Sequence, residues 1–406
     1  MKQSNALLNC LIDGTNLVEI IDLGLHAFAD TFIGSHQLEI VEPIFPLVCM
    51  LCPECGIVQL KYITHDFDRY NLYSYSYTSS NSNFSRSHWN EFANSAIESS
   101  GTSIKLVVEI GSNDGYLLQQ FKPFVERVIG VDSSEEMSRI ANGLGVQTLN
   151  TLFDSASSSQ IIEEYGKADL IIANNVLNHS NHPVDFVSGV SNLLSEDGRF
   201  IFEVPYWSST VTSLHFDQIY HEHVTYFTVR SIEKLLDECG MSISQISVVD
   251  YHGGSLRVTA INGRNKTMPK GIGNLITEEE ELRLYEAKTY IDYVEQVNLN
   301  RSKFLTKVHQ IIGESKSVTI AGVGAAAKAN TLLTYYGLNN SYIDFITDSS
   351  EHKIGKFTPF TRIPVYGDAE FAKHEEIVAI VLSWNIGDTL RANIQAINKN
   401  VRFLEL

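Results

Sequence analysis

The stretch IKLVVEIGSNDGYLLQQF, residues 104–121, constrains the fold of this 406-residue chain more than any other. It reads as an unbroken apolar strand, a glycine turn and then a helix. A strand with no polar alternation is buried on both faces, which implies a parallel sheet covered by helices on either side. Glycines in the turn let the backbone approach a ligand, and the helix N-terminus directs free N–H groups toward it. The next strand, RVIGVDSS, ends at Asp132, twenty-one positions after Gly111, where an acid can accept both hydroxyls of a ribose. A third strand, ADLIIANNVLNH, ends in Asn174 and Asn175, and a fourth, GRFIFEVPYW, follows. Ligands of such sheets lie beyond the carboxyl ends of the strands, so these loops converge on one crevice. The spacing Glu109-x-Gly111-x-x-x-Gly115 suits S-adenosylmethionine better than the dinucleotide fingerprint. A dinucleotide fold and a purely structural turn are the alternatives. The cofactor-binding candidates are Glu109, Gly111, Asn113, Gly115, Asp132 and Asn174.

The grammar repeats near the C-terminus. SVTIAGVGAAAKANTLLTYYG is again strand, glycine turn and helix, with Lys328 early in the helix, where an ammonium can meet a phosphate or simply be solvated. YIDFITDSS, IPVYGD and EEIVAIVLSWN supply further strands or their tips, the last ending at Trp384 and Asn385. Between the two units, residues 275–312 show apolar positions at helical spacing: Leu284, Ile291, Val294, Leu305, Val308 and Ile312. The acidic run Glu278–Glu281 reads as a solvated first turn suited to the helix dipole.

Four of the five cysteines lie in the first 55 residues. LCPECGIVQL places Cys52 and Cys55 on a short turn closed by Gly56, one hook of a tetrahedral zinc site. The other hook is incomplete: Cys10 is followed by Asp13 where a second cysteine is expected, and either Asp13 or Cys49 completes the set. Reduced thiols packed in a small core are the alternative. Residues 66–90 are rich in Tyr, Ser and Asn, and Tyr70, Tyr73, Tyr75 and Tyr77 suit the lining of a polar pocket or an exposed aromatic surface.

With 30 basic and 48 acidic residues the formal charge is −18, which argues against broad contact with nucleic acid or anionic lipid. No apolar run reaches membrane-spanning length, so a cytoplasmic protein without membrane or nucleic-acid partners is expected, as a monomer or small homo-oligomer.

The stretch FDQIYHEHVTYF, residues 216–227, sets Tyr220, His221, Glu222 and His223 side by side. A catalytic base with its helpers, a metal site and a packed polar pair are the readings. No third metal ligand with suitable spacing stands nearby. If extended, the segment puts His221 and His223 on one face, and only a bend converges all four side chains. HGGSLR at 252–257 is a glycine turn whose Arg257 either meets a diphosphate or forms a structural ion pair.

Taken together, Cys-x-x-Cys-Gly-Ile-Val-Gln-Leu at 52–60, the tyrosine–serine stretch ending at His88, EIGSNDG, ANNVLNH, YHEHVTYF, HGGSLR and GVGAAAKANTLL resemble the nucleotide-sugar C-methyltransferases of deoxysugar biosynthesis. The best-known members are 3-C-methyltransferases of dTDP-linked 4-keto-6-deoxysugars. The resemblance implies an α/β chain with a zinc-binding domain at 1–65, for which Cys10, Asp13, Cys52 and Cys55 are the candidate ligands, Asp13 standing where the family has a second cysteine. An S-adenosylmethionine domain at 66–265, a helical connector at 266–315 and a Rossmann-like nucleotide-sugar domain at 316–406 follow. It makes His223 the base, with Tyr220, Glu222, Asn175 and Tyr77 around it, Tyr75 being the alternative tyrosine; His221 is a further catalytic candidate from the segment itself. Tyr75, Arg257, Lys328, Asn330, Trp384 and Asn385 are the candidates for the nucleotide-diphosphate 4-keto-6-deoxysugar. The expected reaction is C3 methylation through a base-generated enolate. A sugar O-methyltransferase or an inactive zinc-dependent binding module are the alternatives.

Overall fold

The computed structural model describes residues 6–65, 69, 80, 82–100, 103–263, 269, 271–315 and 317–406. β1 (Val18–His26), β2 (Phe45–Leu51) and β3 (Val58–Leu60) form an antiparallel meander, and Cys52 and Cys55 sit on the turn from β2 to β3. The chain then runs through α1 (Asn83–Ser100), β4 (Leu106–Ile110), α2 (Tyr116–Phe121), β5 (Arg127–Asp132), α3 (Glu135–Gly143), β6 (Thr148–Asn150), α4 (Ser155–Tyr165), β7 (Ala168–Asn174), α5 (Pro183–Leu193) and β8 (Leu194–Pro205). Every residue of β4 is buried, as its unbroken apolar run requires.

After α6 (Trp207–Thr212) come β9 (Thr225–Tyr226), α7 (Val229–Glu238), β10 (Met241–Val249) and β11 (Ser255–Asn262). The central sheet has the order β10-β11-β8-β7-β4-β5-β6. Its five strands β8 to β6 are parallel, and β11 and β10 add an antiparallel edge that the alternating pattern did not announce. β9 leaves this domain and pairs with β3, so the segment holding Tyr220–His223 runs directly into the N-terminal sheet.

α8 (Ile272–Glu281) and α9 (Ala287–Glu314) connect to the last unit, formed by β12 (Thr319–Val323), α10 (Ala327–Tyr336), β13 (Phe345–Thr347), β14 (Val365–Tyr366), β15 (Ile377–Val381), α11 (Gly387–Ile397) and β16 (Arg402–Leu404). Its sheet, β14-β13-β12-β15-β16, is parallel throughout.

Two sequence expectations are corrected in the connector. Glu278–Glu281 ends α8 instead of starting it, and Glu279 is buried: its carboxylate accepts from Val229 N (2.6 Å) and Arg230 N (3.4 Å), capping α7 from another element. On α9 the buried stripe is Tyr290, Tyr293, Val297, Phe304 and Val308, whereas Ile291 is 59% exposed. The aromatic rings carry more area per position, about 1.5–3 kcal/mol for a fully buried Phe, and they fix which face turns inward. Among the described residues no helix is long and apolar enough to cross a membrane.

Candidate active site

A cavity of about 500 Å³ opens at the carboxyl ends of both parallel sheets and is lined from the central domain, the C-terminal unit and the N-terminal domain. That volume suits small-molecule ligands. On the central side lie Glu109, Gly111, Asn113, Asp132, Asn174 and Asn175. Gly111 has φ +68°, and a Cβ there would meet Val176 Cγ2 at 2.3 Å, so only glycine lets the turn close against the end of β7. Asp132 Oδ2 accepts from Asn113 N at 2.8 Å and Oδ1 from Ser134 N at 2.8 Å, which locks the strand tip to the turn. Burial, then the nearby Asp114 and Asp132, hold the Glu109 carboxyl well above the usual carboxylate range. Glu109 Oε2 and both amide atoms of Asn174 are buried without a hydrogen-bond partner among the described residues. A ligand carrying a cationic centre, an amine and ribose hydroxyls satisfies these groups, and S-adenosylmethionine has all three.

Gly115 departs from expectation. It begins α2 at φ +77° and does not line the cavity; a Cβ there would meet Ala141 and Val146 at 3.1 Å, so it serves helix packing.

The YHEH segment is bent, with His223 N donating to Tyr220 O at 2.9 Å. The bend separates the four side chains by task. His223 Nδ1 lies 3.1 Å from Gln218 O, which can only accept, so Nδ1 carries the hydrogen and Nε2 presents the lone pair. Tyr220 Oη donates to that Nε2 at 2.6 Å. Burial pushes His223 down to about 3, which leaves the imidazole neutral across ordinary pH. Glu222 does not orient the imidazole. Its oxygens accept from Ala29 N (3.3 Å) and Asp30 N (3.1 Å), tying the N-terminal domain to the cavity wall, and burial raises its pKa to about 7.

His221 is corrected from a catalytic to a packing residue. Its ring stands edge-on to Phe28 and Phe45, its Nε2 lies 3.3 Å from Phe45 O, and it is absent from the cavity wall. Asn175 does line the cavity, in the left-handed region at φ 55°, with its N donating to Glu203 O at 2.7 Å. Asn113 and His252 share this sparsely populated geometry at the same cavity, a pattern common at ligand sites. Tyr70, Tyr73, Tyr75 and Tyr77 lie outside the described residues.

On the C-terminal side, Lys328 and Asn385 line the cavity together, the Lys328 ammonium donating to Asn385 Oδ1 and lying 4.1 Å above the Trp384 ring. Burial lowers Lys328 to about 8. Trp384 is corrected to a support. It stacks on His215 at 3.6 Å, donates from Nε1 to Asp217 Oδ2 at 2.6 Å, and does not reach the wall. Asn330 is corrected likewise: buried, it donates to Ala29 O at 2.6 Å and fastens the C-terminal unit to the N-terminal domain. The two readings of Arg257 resolve to an ion pair, its Nε meeting the fully buried Glu203 at 2.5 Å, away from this cavity.

Sequence reasoning missed several residues of the wall. His179 sits 4.9 Å from His223, ring to ring, and burial holds its pKa well below the usual histidine range. His252, Lys353, Thr347 and Asp30 also line the cavity. His179 closes the quoted motif ANNVLNH and His252 opens HGGSLR, so both were in view; no local feature separates a wall residue from a packed one.

The cysteine hooks meet away from the cavity. Ligand atoms of Cys10, Asp13, Cys52 and Cys55 all lie within 4.8 Å of one another, with Cys10 Sγ 3.6 Å from Cys55 Sγ and Cys52 Sγ 3.7 Å from Asp13 Oδ1. Tetrahedral coordination with Zn–S bonds of ~2.3 Å sets neighbouring donors roughly 3.8 Å apart, so the set fits a structural zinc ion. Asp13 and not Cys49 completes it, because Cys49 lies inside β2 opposite Leu60, in the apolar core.

Three family models match the chain in order: a zinc binding domain over residues 10–68, a methyltransferase domain over 93–246, and a C-methyltransferase C-terminal domain over 250–404. The C-methyltransferase NovU of Streptomyces niveus is 28% identical over 370 residues, 91% of this chain and 87% of that protein. The uncharacterized methyltransferase YcgJ of Bacillus subtilis is 28% identical over 99 residues, 23% of this chain and 38% of that one. A solved S-adenosylmethionine-dependent methyltransferase from Clostridium acetobutylicum is 17% identical, with a TM-score of 0.37 over 44% of this chain and 92% of its own. With a zinc-type donor set, an S-adenosylmethionine turn and a match to the C-methyltransferase C-terminal domain in sequence, the chain is an S-adenosylmethionine-dependent methyltransferase similar to C-methyltransferases along nearly its whole length.

Proposed function

We propose that this protein methylates carbon 3 of a nucleotide-linked 4-keto-6-deoxysugar, by way of an enolate formed by His223. The observation that carries the reading is a neutral imidazole, its Nε2 lone pair held by a hydroxyl, on the wall of a cavity shared by two glycine turns of opposite charge. A carbon beside a carbonyl is acidic only when its conjugate base is stabilised, so the reaction needs a base and hydrogen-bond donors at the keto oxygen.

Substrate entry turns the Tyr220 hydroxyl aside and frees Nε2. His223 takes the C3 proton; the C–H pair becomes the C3–C4 double bond and the carbonyl pair moves to oxygen. S-adenosylmethionine supplies the electrophilic sulfonium methyl group. The enolate carbon takes that methyl in line, the S–C pair stays on sulfur, and His223 later releases its proton to water. Lys328 and Asn385 face the diphosphate, together with the first turn of α10, which has no side-chain cap and leaves the N–H groups of Ala327 and Lys328 for an anion.

The test is a panel of dTDP-, GDP- and CDP-4-keto-6-deoxysugars with methyl donor, the new methyl located by mass and NMR. In D₂O without donor, the C3 hydrogen exchanges under the enolate mechanism; methyl on oxygen with no exchange sinks it.

A further inference from the structure

Gln218 is used twice in the structure, and only one use is accounted for. Its carbonyl oxygen receives the His223 Nδ1 hydrogen at 3.1 Å. Its side chain, 4% exposed, joins the cavity wall, and Nε2 has no hydrogen-bond partner among the described residues. A buried carboxamide nitrogen left unpaired is costly, and such groups find partners in a ligand or in water. The carboxamide thus lines the same cavity as the base that its own backbone carbonyl orients.

Two other donors of the wall are engaged in this structure. The Tyr220 hydroxyl is bound to Nε2 of the base itself until substrate entry turns it aside. Lys328 stands on the far unit, bound to Asn385 and the Trp384 face. A carboxamide has a further chemical merit at this position: it donates hydrogen bonds but does not give up its proton. An enolate oxygen held by it stays anionic, so the carbon keeps its nucleophilicity instead of being trapped as an enol.

Resting on the enolate reading above, we infer that the Gln218 side chain is a catalytic residue: its Nε2 donates to the C4 keto oxygen and stabilises the enolate as His223 removes the C3 proton. The sequence offers one sign of this, since Gln218 lies two residues before Tyr220 on the turn that the bend folds back on itself.

The test uses the full chain with dTDP-4-keto-6-deoxyglucose in D₂O, methyl donor omitted, and measures the rate of C3 exchange for wild type, Gln218→Met and Gln218→Glu. Gln218→Met keeps the size and removes the donor; exchange and kcat fall on the order of 10²-fold, while KM for the sugar moves less than about threefold. Gln218→Glu is the second variant, with a built-in readout. A buried carboxyl titrates upward and donates only when protonated, so its exchange rate recovers as the pH falls from 8 toward 5, whereas a packing role gives no such recovery. Both variants are checked for wild-type melting, and the Glu variant's pH response decides the matter if the Met variant is unstable. Wild-type exchange rates in a folded Gln218→Met, or a Gln218→Glu profile with no low-pH recovery, overturn the inference alone. No exchange in the wild-type protein with any sugar of the panel removes the enolate reading and this inference with it.

Discussion

The central and C-terminal units build the same turn and give it opposite charge. In the central unit Gly111 N donates to Val131 O at 2.7 Å; in the C-terminal unit Gly324 N donates to Thr347 O at 2.8 Å. Asp132 accepts from Asn113 N and Ser134 N, and Asp348 from Ala325 N and Ser350 N, all at 2.8 Å. What differs is the side chains set upon this frame. Two residues before the first glycine stands Glu109; two residues before Gly324 stands Gly322. The first turn therefore gathers Glu109, Asp114 and Asp132, while the second outweighs Asp348 with Lys328 and Lys353, whose Nζ donates to Ala325 O at 2.8 Å. One backbone thus serves a cationic methyl donor in one half and, on the function proposed above, an anionic diphosphate in the other. Backbone geometry sets where a ligand lies, and the charge of a few side chains sets which ligand it is.

His223, where the two halves meet, offers the largest effect. Replacing it by Asn should cut turnover by roughly 10²–10⁴-fold, the usual contribution of a general base, while calorimetric binding of S-adenosylmethionine stays near wild type. Retained turnover removes it as the base.

The charge contrast is broken most directly by a crossed pair of variants. Asp132→Asn should weaken S-adenosylmethionine binding about tenfold or more, the loss of a charged hydrogen-bond acceptor, and spare the KM of the sugar nucleotide. Lys328→Met should do the reverse. If either variant affects both ligands equally, the two turns are not separate sites.

A pH profile sharpens the same contrast. Lys328, lowered to about 8 by burial, is an ammonium below that pH and a neutral amine above it. Binding of an anion should therefore weaken as pH rises past about 8, seen as a falling kcat/KM that the Lys328→Met variant lacks. His223, already neutral down to about 3, should add no acidic limb near 6.5.

The smallest effect concerns the mounting of the second turn. Asn330 ties α10 to Ala29 of the N-terminal domain. Asn330→Ala should cost about 1–3 kcal/mol by leaving a buried carbonyl unpaired, read as a lower melting temperature with donor affinity unchanged.

Much of this molecule is legible in its sequence, because local chemistry decides it. The runs LVVEI and TIAGV, each leading into a glycine turn, read as buried strands, and the glycines that follow them are needed for left-handed turns and close contact. Cys-x-x-Cys on a turn marks a metal hook by its own spacing. Tertiary structure alone decided which side chains reach the cavity. Tyr220, His221, Glu222 and His223 are consecutive, yet the bend sends His221 into an aromatic pocket and Glu222 onto the backbone of residues 29 and 30, and leaves His223 under Tyr220. Arg257 and Asn330 look like ligand contacts until their partners appear, Glu203 on a neighbouring strand and Ala29 some three hundred residues away. Periodicity and turn chemistry are properties of neighbours along the chain; whether a polar side chain meets a ligand or a distant carbonyl depends on groups that only folding brings within hydrogen-bonding reach.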